Sequence, residues 1–158
     1  MAVGQVHIMA KYVYNMASGA GVNWASDTLK LAFVTSALTP SVSDSDPRWG
    51  SGGAQNYSTN EVTAGGNYAA GGIALTGNTV TLSGATTSLN LTSPVSLASH
   101  ASNPTNAAWG VIYDSTDAGK RVLGFIDLGG SRDLTLGLQI NINGQSSGTQ
   151  PILQNTAS

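Results

Sequence analysis

The chain contains no cysteine. Disulfide frameworks, thiolate nucleophiles and zinc–thiolate sites are therefore excluded, and cysteine usage leaves the redox compartment open. Charge is almost as scarce. Asp, Glu, Lys and Arg make up 9% of the residues and the net charge is −2, where soluble domains ordinarily carry roughly 25% charged residues. The six basic residues are scattered along the chain. They form no patch for nucleic acid and supply little field for steering toward an anionic membrane. No segment is long and apolar enough to span a bilayer as a helix. The opening segment lacks a basic stretch ahead of an apolar core, and Lys11 and Asn15 interrupt its apolar run. A signal peptide is not expected there, and the segment reads as part of the fold.

The hydrophilic character that remains comes from Ser, Thr, Asn and Gly. With 158 residues the chain fits one domain, large enough to bury roughly two-thirds of its unfolded surface without a metal or a disulfide. Low charge removes a main barrier to self-association. Such a surface suits a subunit that ends up packed against neighbours.

Val6, Met9, Ala10, Val13, Met16 and Ala17 recur at helical spacing. They predict one amphipathic helix over residues 5–18, with Gly19 and Gly21 as stop signals. From residue 28 the period changes to two. Over 28–36, Leu29, Leu31 and Phe33 point one way and Lys30, Ala32 and Val34 the other, which predicts a central strand. Residues 39–66, rich in Ser, Asp, Pro, Gly and Asn, read as a long surface loop with a possible short strand at 60–63; loops of this length are usually functional or mobile. Short strands follow at 72–76, 79–83, 88–92, 95–98, 107–113, 121–128 and 134–141. Gly77-Asn78 reads as a hairpin turn between the first two, Pro94 suits an edge or bulge, and Asp117–Gly119 and Gly129-Gly130 supply further turns. Residues 144–158 read as a polar tail. The expected architecture is mainly β: an antiparallel sandwich or jelly-roll-like single domain with one N-terminal helix.

Catalytic constellations are thin. His7 falls in the predicted helix and His100 in a polar loop, and no serine has the Gly-x-Ser-x-Gly surroundings that expose a nucleophile. Asp44 and Asp46 could supply calcium ligands, but the twelve-residue calcium-loop pattern and its closing glutamate are missing; Asx turns in a solvated loop are the plainer reading. Asp114, Asp117 and Asp127 sit near strand ends. A glycosidase-like pair would need two of them to face each other, whereas turn formation accounts for Asp114 and Asp117. Gly65-Gly66 and Gly71-Gly72 are not followed by a helix N-terminus that could hold phosphate. The expectation is therefore no enzyme, no cofactor and no metal.

Among the aromatics, Trp109 and Tyr113 share a strand face with Val111, which suits core packing. Trp24 precedes a strand and suits the end of a sheet. Trp49 lies in the long loop and is the first candidate for a partner contact, since Trp is a frequent interface anchor. Arg48 and Tyr57 in the same loop, and Ile152 and Leu153 in the tail, complete the candidate contact residues. The N-terminal segment, the loop and the tail are the parts least committed to a core.

The order of these pieces resembles a family of small structural proteins of tailed bacteriophages. Tyr14-Asn15 on the helix leads to Trp24, Asp27-Thr28, Lys30, Ala32 and Val34-Thr35-Ser36. Asn60-Glu61-Val62 follows, then Tyr68, Gly71-Gly72, Leu75-Thr76-Gly77 and Thr79-Val80-Thr81. Trp109-Gly110-Val111-Ile112-Tyr113 and Leu123-Gly124-Phe125-Ile126-Asp127-Leu128-Gly129-Gly130 complete the pattern. The resemblance runs from about Tyr14 to Asn143; the loop at 44–56 and the tail beyond Gly144 depart from it. It implies a virion component without catalysis, assembled in the host cytoplasm: a capsid decoration or cement protein. Such a protein would work as a homo-oligomer, a trimer favoured, bound to the major capsid protein on the outer surface of a phage head and clamping neighbouring capsomers. A tail, neck or head-fibre component is the alternative within the resemblance, and a carbohydrate-binding module the alternative outside it.

Overall fold

The alternating run beginning at residue 28 becomes the strand around which the molecule is organised. The structure is a computed structural model that describes residues 4–92 and 94–142 in full and the backbone of residues 153–156. In chain order the elements are β1 (Val6–Ile8), α1 (Ala10–Ala17), β2 (Leu29–Val34), β3 (Pro47–Arg48), β4 (Gln55–Asn56), a 3-10 turn (Tyr57–Asn60), β5 (Ile73–Ala74), β6 (Thr79–Ser83) and β7 (Thr86–Asn90). Then come β8 (Val95–Leu97), β9 (Ala107–Asp114), β10 (Val122–Arg132), β11 (Leu138–Ile140) and β12 (Leu153–Thr156). The principal sheet has the order β1-β10-β9-β2-β5 and is antiparallel throughout. Smaller sheets are β12-β7-β6, β11-β8 and a short parallel pair, β3-β4. The protein is thus mainly antiparallel β with one α-helix among the described residues, as its period-two runs predict, and the layering is compatible with a sandwich.

The centre of the principal sheet is buried on both faces. In β2, Leu29, Leu31, Phe33 and their alternates Ala32 and Val34 are all buried. Their neighbours Val111, Ile112 and Tyr113 on β9 and Phe125 and Ile126 on β10 are buried as well. Each large apolar side chain contributes about 1.5–3 kcal/mol by leaving water, so these three adjacent strands hold the core. Trp109, on the same face as Val111 and Tyr113, is half-buried and meets Phe125 edge-on at 6.0 Å. Trp24 is buried, and its indole N–H donates to the Asn90 carbonyl at 3.0 Å. It thereby ties the start of β2 to the end of β7.

Several expectations are corrected. The helix is shorter than residues 5–18. Residues 6–8 are a strand, because their main chain pairs with Gly124–Ile126 of β10. Gly124 permits that approach: a Cβ there would lie 2.7 Å from the His7 carbonyl oxygen. The shortened helix buries Tyr12 and Asn15 and turns Val13 and Tyr14 outward. Gly19, with φ +75°, follows its C-cap Ser18 as expected. Gly77-Asn78 is not a hairpin turn. The chain changes sheets there, held by the Thr92 N–H to the Thr76 carbonyl (2.7 Å) and the Asn78 amide to the Asp27 carbonyl (2.9 Å). The hairpin partner of β6 is β7, through Gly84-Ala85. Gly84 has φ +57°, matching the glycine that a type II′ turn takes at its first central position. Gly129-Gly130 fall within β10, at a register shift between Asp127 and Arg132, and make no turn between strands.

The segment 39–66 runs along the surface but is anchored in the core at intervals. Pro40, Pro47, Trp49, Tyr57 and Val62 are buried along it. Glu61 bridges to Val34, and the Val62 N–H donates to the Phe33 carbonyl, which takes up the strand expected near 60–63. Of the predicted tail, residues 153–156 form β12 against β7; the remainder lies outside the described residues.

Buried polar groups are mostly satisfied. Asn103 donates to the Ala98 and Leu134 carbonyls and accepts the Asn67 N–H, stapling three segments. The Tyr12 hydroxyl is an exception, enclosed without a hydrogen-bond partner, and burial pushes its pKa up to about 12. An unpartnered buried hydroxyl costs stability. Tyr12→Phe is therefore expected to gain about 1 kcal/mol, read as a higher denaturation midpoint with an unchanged slope.

Candidate assembly surface

The carboxylates that might have done chemistry are held by neighbouring hydrogen-bond and ion-pair partners. Asp44 accepts from the Tyr57 hydroxyl and from the Ser41 N–H. Asp46 holds Arg48 through two bonds of 3.0 and 3.2 Å. The two carboxylates thus serve different partners. Among the described residues no cluster of three or more His, Asp or Glu side chains could hold a metal ion.

Glu61 accepts from the Tyr68 hydroxyl (2.9 Å) and the Gly71 N–H (2.6 Å). The Tyr68 hydroxyl in turn accepts the Phe33 N–H (3.0 Å), and the Tyr113 hydroxyl donates to the Gly71 carbonyl (2.8 Å). This chain of bonds straps residues 61–71 across β2 and β9. Burial, with the Glu61 charge adding to it, pushes the Tyr113 hydroxyl up to about 12.

Asp114 is buried and accepts the Thr116 and Asp117 N–H groups, opening the turn that leads to β10. Burial raises its pKa against the pull of those two bonds, and the charges of Asp27 and Asp117 add to the rise. Asp117 pairs with Arg121 at 3.1 Å. Asp114 and Asp117 therefore build their turn, as the sequence suggests. His7 stacks on Phe125 at 5.3 Å. His100 is exposed, and its Nδ1 accepts the Ser102 N–H.

The candidate contact residues divide differently from expectation. Trp49 is 4% exposed and stacks on Tyr113 at 4.9 Å, with its N–H bonded to the Lys120 carbonyl. It anchors residues 46–50 to the principal sheet, and its ring is not available to a partner of the folded chain. Arg48 is half-buried between Asp46 and the Gly119 carbonyl. Tyr57 is fully buried over Asp44; burial first, then the bond to Asp44 and its charge, raise its pKa well above the ordinary tyrosine value. Ile152 lies outside the described residues, as does the side chain of Leu153, whose backbone pairs with Leu89.

Apolar surface appears elsewhere. Tyr14 is 62% exposed on the outer face of α1, with Lys11 above its ring, beside the loop that carries Val42. The α1 main chain joins that loop directly, the Ala10 N–H donating to the Val42 carbonyl at 2.9 Å. Leu136 is 86% exposed at the rim of a cleft of about 510 Å³ between β10 and β11. On β6 all five residues are exposed, Val80 at 48% and Leu82 at 75%. Alternation in Thr79–Ser83 signals a strand with one apolar face. It carries no signal that the face stays uncovered, so these residues escape a reading of sequence.

Fold and surface define a class: a mainly antiparallel β domain with few charged groups, several of them tied up in turns and straps, whose outward chemistry is largely hydroxyl, amide and isolated apolar groups. Comparison with known protein families, with characterised proteins and with solved structures finds no match to this chain.

Proposed function

We propose that the chain is a non-enzymatic virion structural protein, a decoration or cement protein that binds the outer surface of a tailed-phage head and bridges neighbouring capsomers. Bridging is multivalent and non-covalent, so weak individual contacts gain strength from simultaneous engagement. The observation that carries the reading is the scarcity of charge combined with its placement. The few carboxylates are used in turns and straps, while Tyr14, Val80, Leu82 and Leu136 are left facing outward. A surface of this kind can bury hydroxyl and apolar groups at a seam without stranding unpaired charge. The order of sequence motifs from Tyr14 onward supports the same reading.

A carbohydrate-binding role would need an exposed aromatic platform, and its best candidate, Trp49, is enclosed. The deciding experiment uses heads prepared with and without this protein. Complete heads are expected to survive heating and low salt that rupture bare ones, and adding the protein back should restore resistance. Equal survival of bare heads, or electron microscopy that places the protein on the tail, would overturn the proposal.

A further inference from the structure

We infer that the outer edge of β6 is a seam by which two copies of this chain join, strand to strand and antiparallel, about a two-fold axis through Thr81. β6 is the last strand of its sheet, and among the described residues no strand pairs with its far side. Open edges in soluble proteins are usually blunted by charge, proline or a bulge. β6 has none of these: Thr79, Val80, Thr81, Leu82 and Ser83 pair with β7 in unbroken register, one residue to one. The surroundings are equally bare, since no Asp, Glu, Lys or Arg occurs between Glu61 and Asp114.

The occupant follows from symmetry and pattern. A two-fold axis brings each side chain near its own mate, which forbids a charge close to the axis; here there is none. Antiparallel pairing centred on Thr81 sets Thr81 opposite Thr81, Thr79 opposite Ser83 and Val80 opposite Leu82. Centring on a residue keeps faces matched, because side chains alternate with period two. The hydroxyl face of one strand therefore continues into the hydroxyl face of the other. On the opposite face Val80 and Leu82 of both copies meet side by side as one apolar cluster, shielding the flanks of side chains that a single copy leaves exposed. The result is a continuous sheet with the order β12-β7-β6 followed by its mirror sequence of strands. The contact is isologous and is used up by two copies, so it closes a dimer and does not by itself produce the trimer that the resemblance implies. A five-residue edge is well below the roughly 1,200 Å² expected of a stable interface, so the dimer forms reversibly with rising concentration.

The test uses the isolated full chain and needs no capsid. Sedimentation over a concentration series should show the 16.0 kDa chain moving toward twice its mass. Leu82→Lys, at an exposed position, should abolish that shift with the circular dichroism spectrum unchanged, whereas Leu136→Lys should leave it intact. Because the chain has no cysteine, Thr81→Cys introduces a single thiol at the axis. Mild oxidation should link it into a covalent dimer, and Thr79→Cys, set opposite Ser83, should link far less. A mass that stays monomeric throughout would overturn the seam. So would association that persists in Leu82→Lys, or equal cross-linking at positions 79 and 81. Head binding is measured separately. A monomer that still binds heads removes the seam and leaves the cement reading standing, and a dimer that ignores heads does the reverse.

Discussion

Trp49→Ala is expected to lower folding stability by about 3–5 kcal/mol, the range for deleting a buried Trp or Phe side chain. The indole is enclosed, stacks on Tyr113 at 4.9 Å and lies close to parallel with it at 13°. Its removal leaves a cavity over β9 and loosens the tie between residues 46–50 and the turn before β10, where Trp49 N–H meets the Lys120 carbonyl and Arg48 meets the Gly119 carbonyl. Domains are stable by only about 5–15 kcal/mol, so the loss is a large share of the total. At this chain length it corresponds to roughly 10 °C in melting temperature. Trp49→Phe, which keeps a ring on Tyr113, should lose markedly less. Denaturant titration of both variants checks the ordering. If Trp49→Ala unfolds like the parent chain but loses binding to heads, the residue is a partner anchor after all and its place in the core is wrong.

The second large effect is alkaline unfolding. Tyr12, Tyr57, Tyr68 and Tyr113 are all buried, and in each the largest influence is the loss of water around the ionised form, which raises the pKa. Asp44 adds to the rise at Tyr57, and Glu61 at Tyr68 and Tyr113. Below pH about 10, the value in an open chain, folded and unfolded states both hold these protons and stability does not depend on them. Above it the unfolded chain releases protons that the folded one retains, so the unfolded state gains. Each group then removes about 1.4 kcal/mol per pH unit, and the loss continues until the folded group itself ionises. For Tyr12 and Tyr113 that point is about 12; for Tyr57 and Tyr68 it lies higher still. Four groups together remove about 5 kcal/mol per unit, comparable with the whole stability of a small domain. Loss of the β-sheet circular dichroism signal is expected between about pH 10 and 12. Tyrosinate absorbance from the four should appear in the same transition. Gradual ionisation at about pH 10 with the sheet intact would show that these hydroxyls are open to solvent.

Much of the architecture is legible along the chain because it is local. The alternation at Leu29, Leu31 and Phe33, the run Trp109–Tyr113 and the run at 121–128 each announce a strand, and the Asp114–Asp117 turn is readable from residue type. The errors share one cause. Val6 fits the helical stripe as well as it fits a strand; the pairing of residues 6–8 with Gly124–Ile126 on a distant strand, where Gly124 leaves room for the His7 carbonyl, decides for the strand. Gly77-Asn78 is a sound hairpin signal, yet the neighbouring Thr76 carbonyl accepts the Thr92 N–H and the Asn78 amide donates to the Asp27 carbonyl, in a change of sheet. Trp49 stands among Ser, Gly and Asp, the company of a surface loop. Its burial depends on Tyr113, far along the chain and unavailable to any window of sequence.

By itself the sequence determined the chemistry on offer: no thiol, few ionisable groups, many hydroxyls and amides, and period-two runs that form antiparallel strands. Those properties belong to residues one at a time or to near neighbours, and folding does not change them. Only the tertiary structure decided which apolar groups are enclosed and which stay outside, placing Trp49 and Tyr57 within and Tyr14, Val80 and Leu82 without. Burial is settled by pairing between segments distant in the chain, and no local pattern encodes which partner arrives.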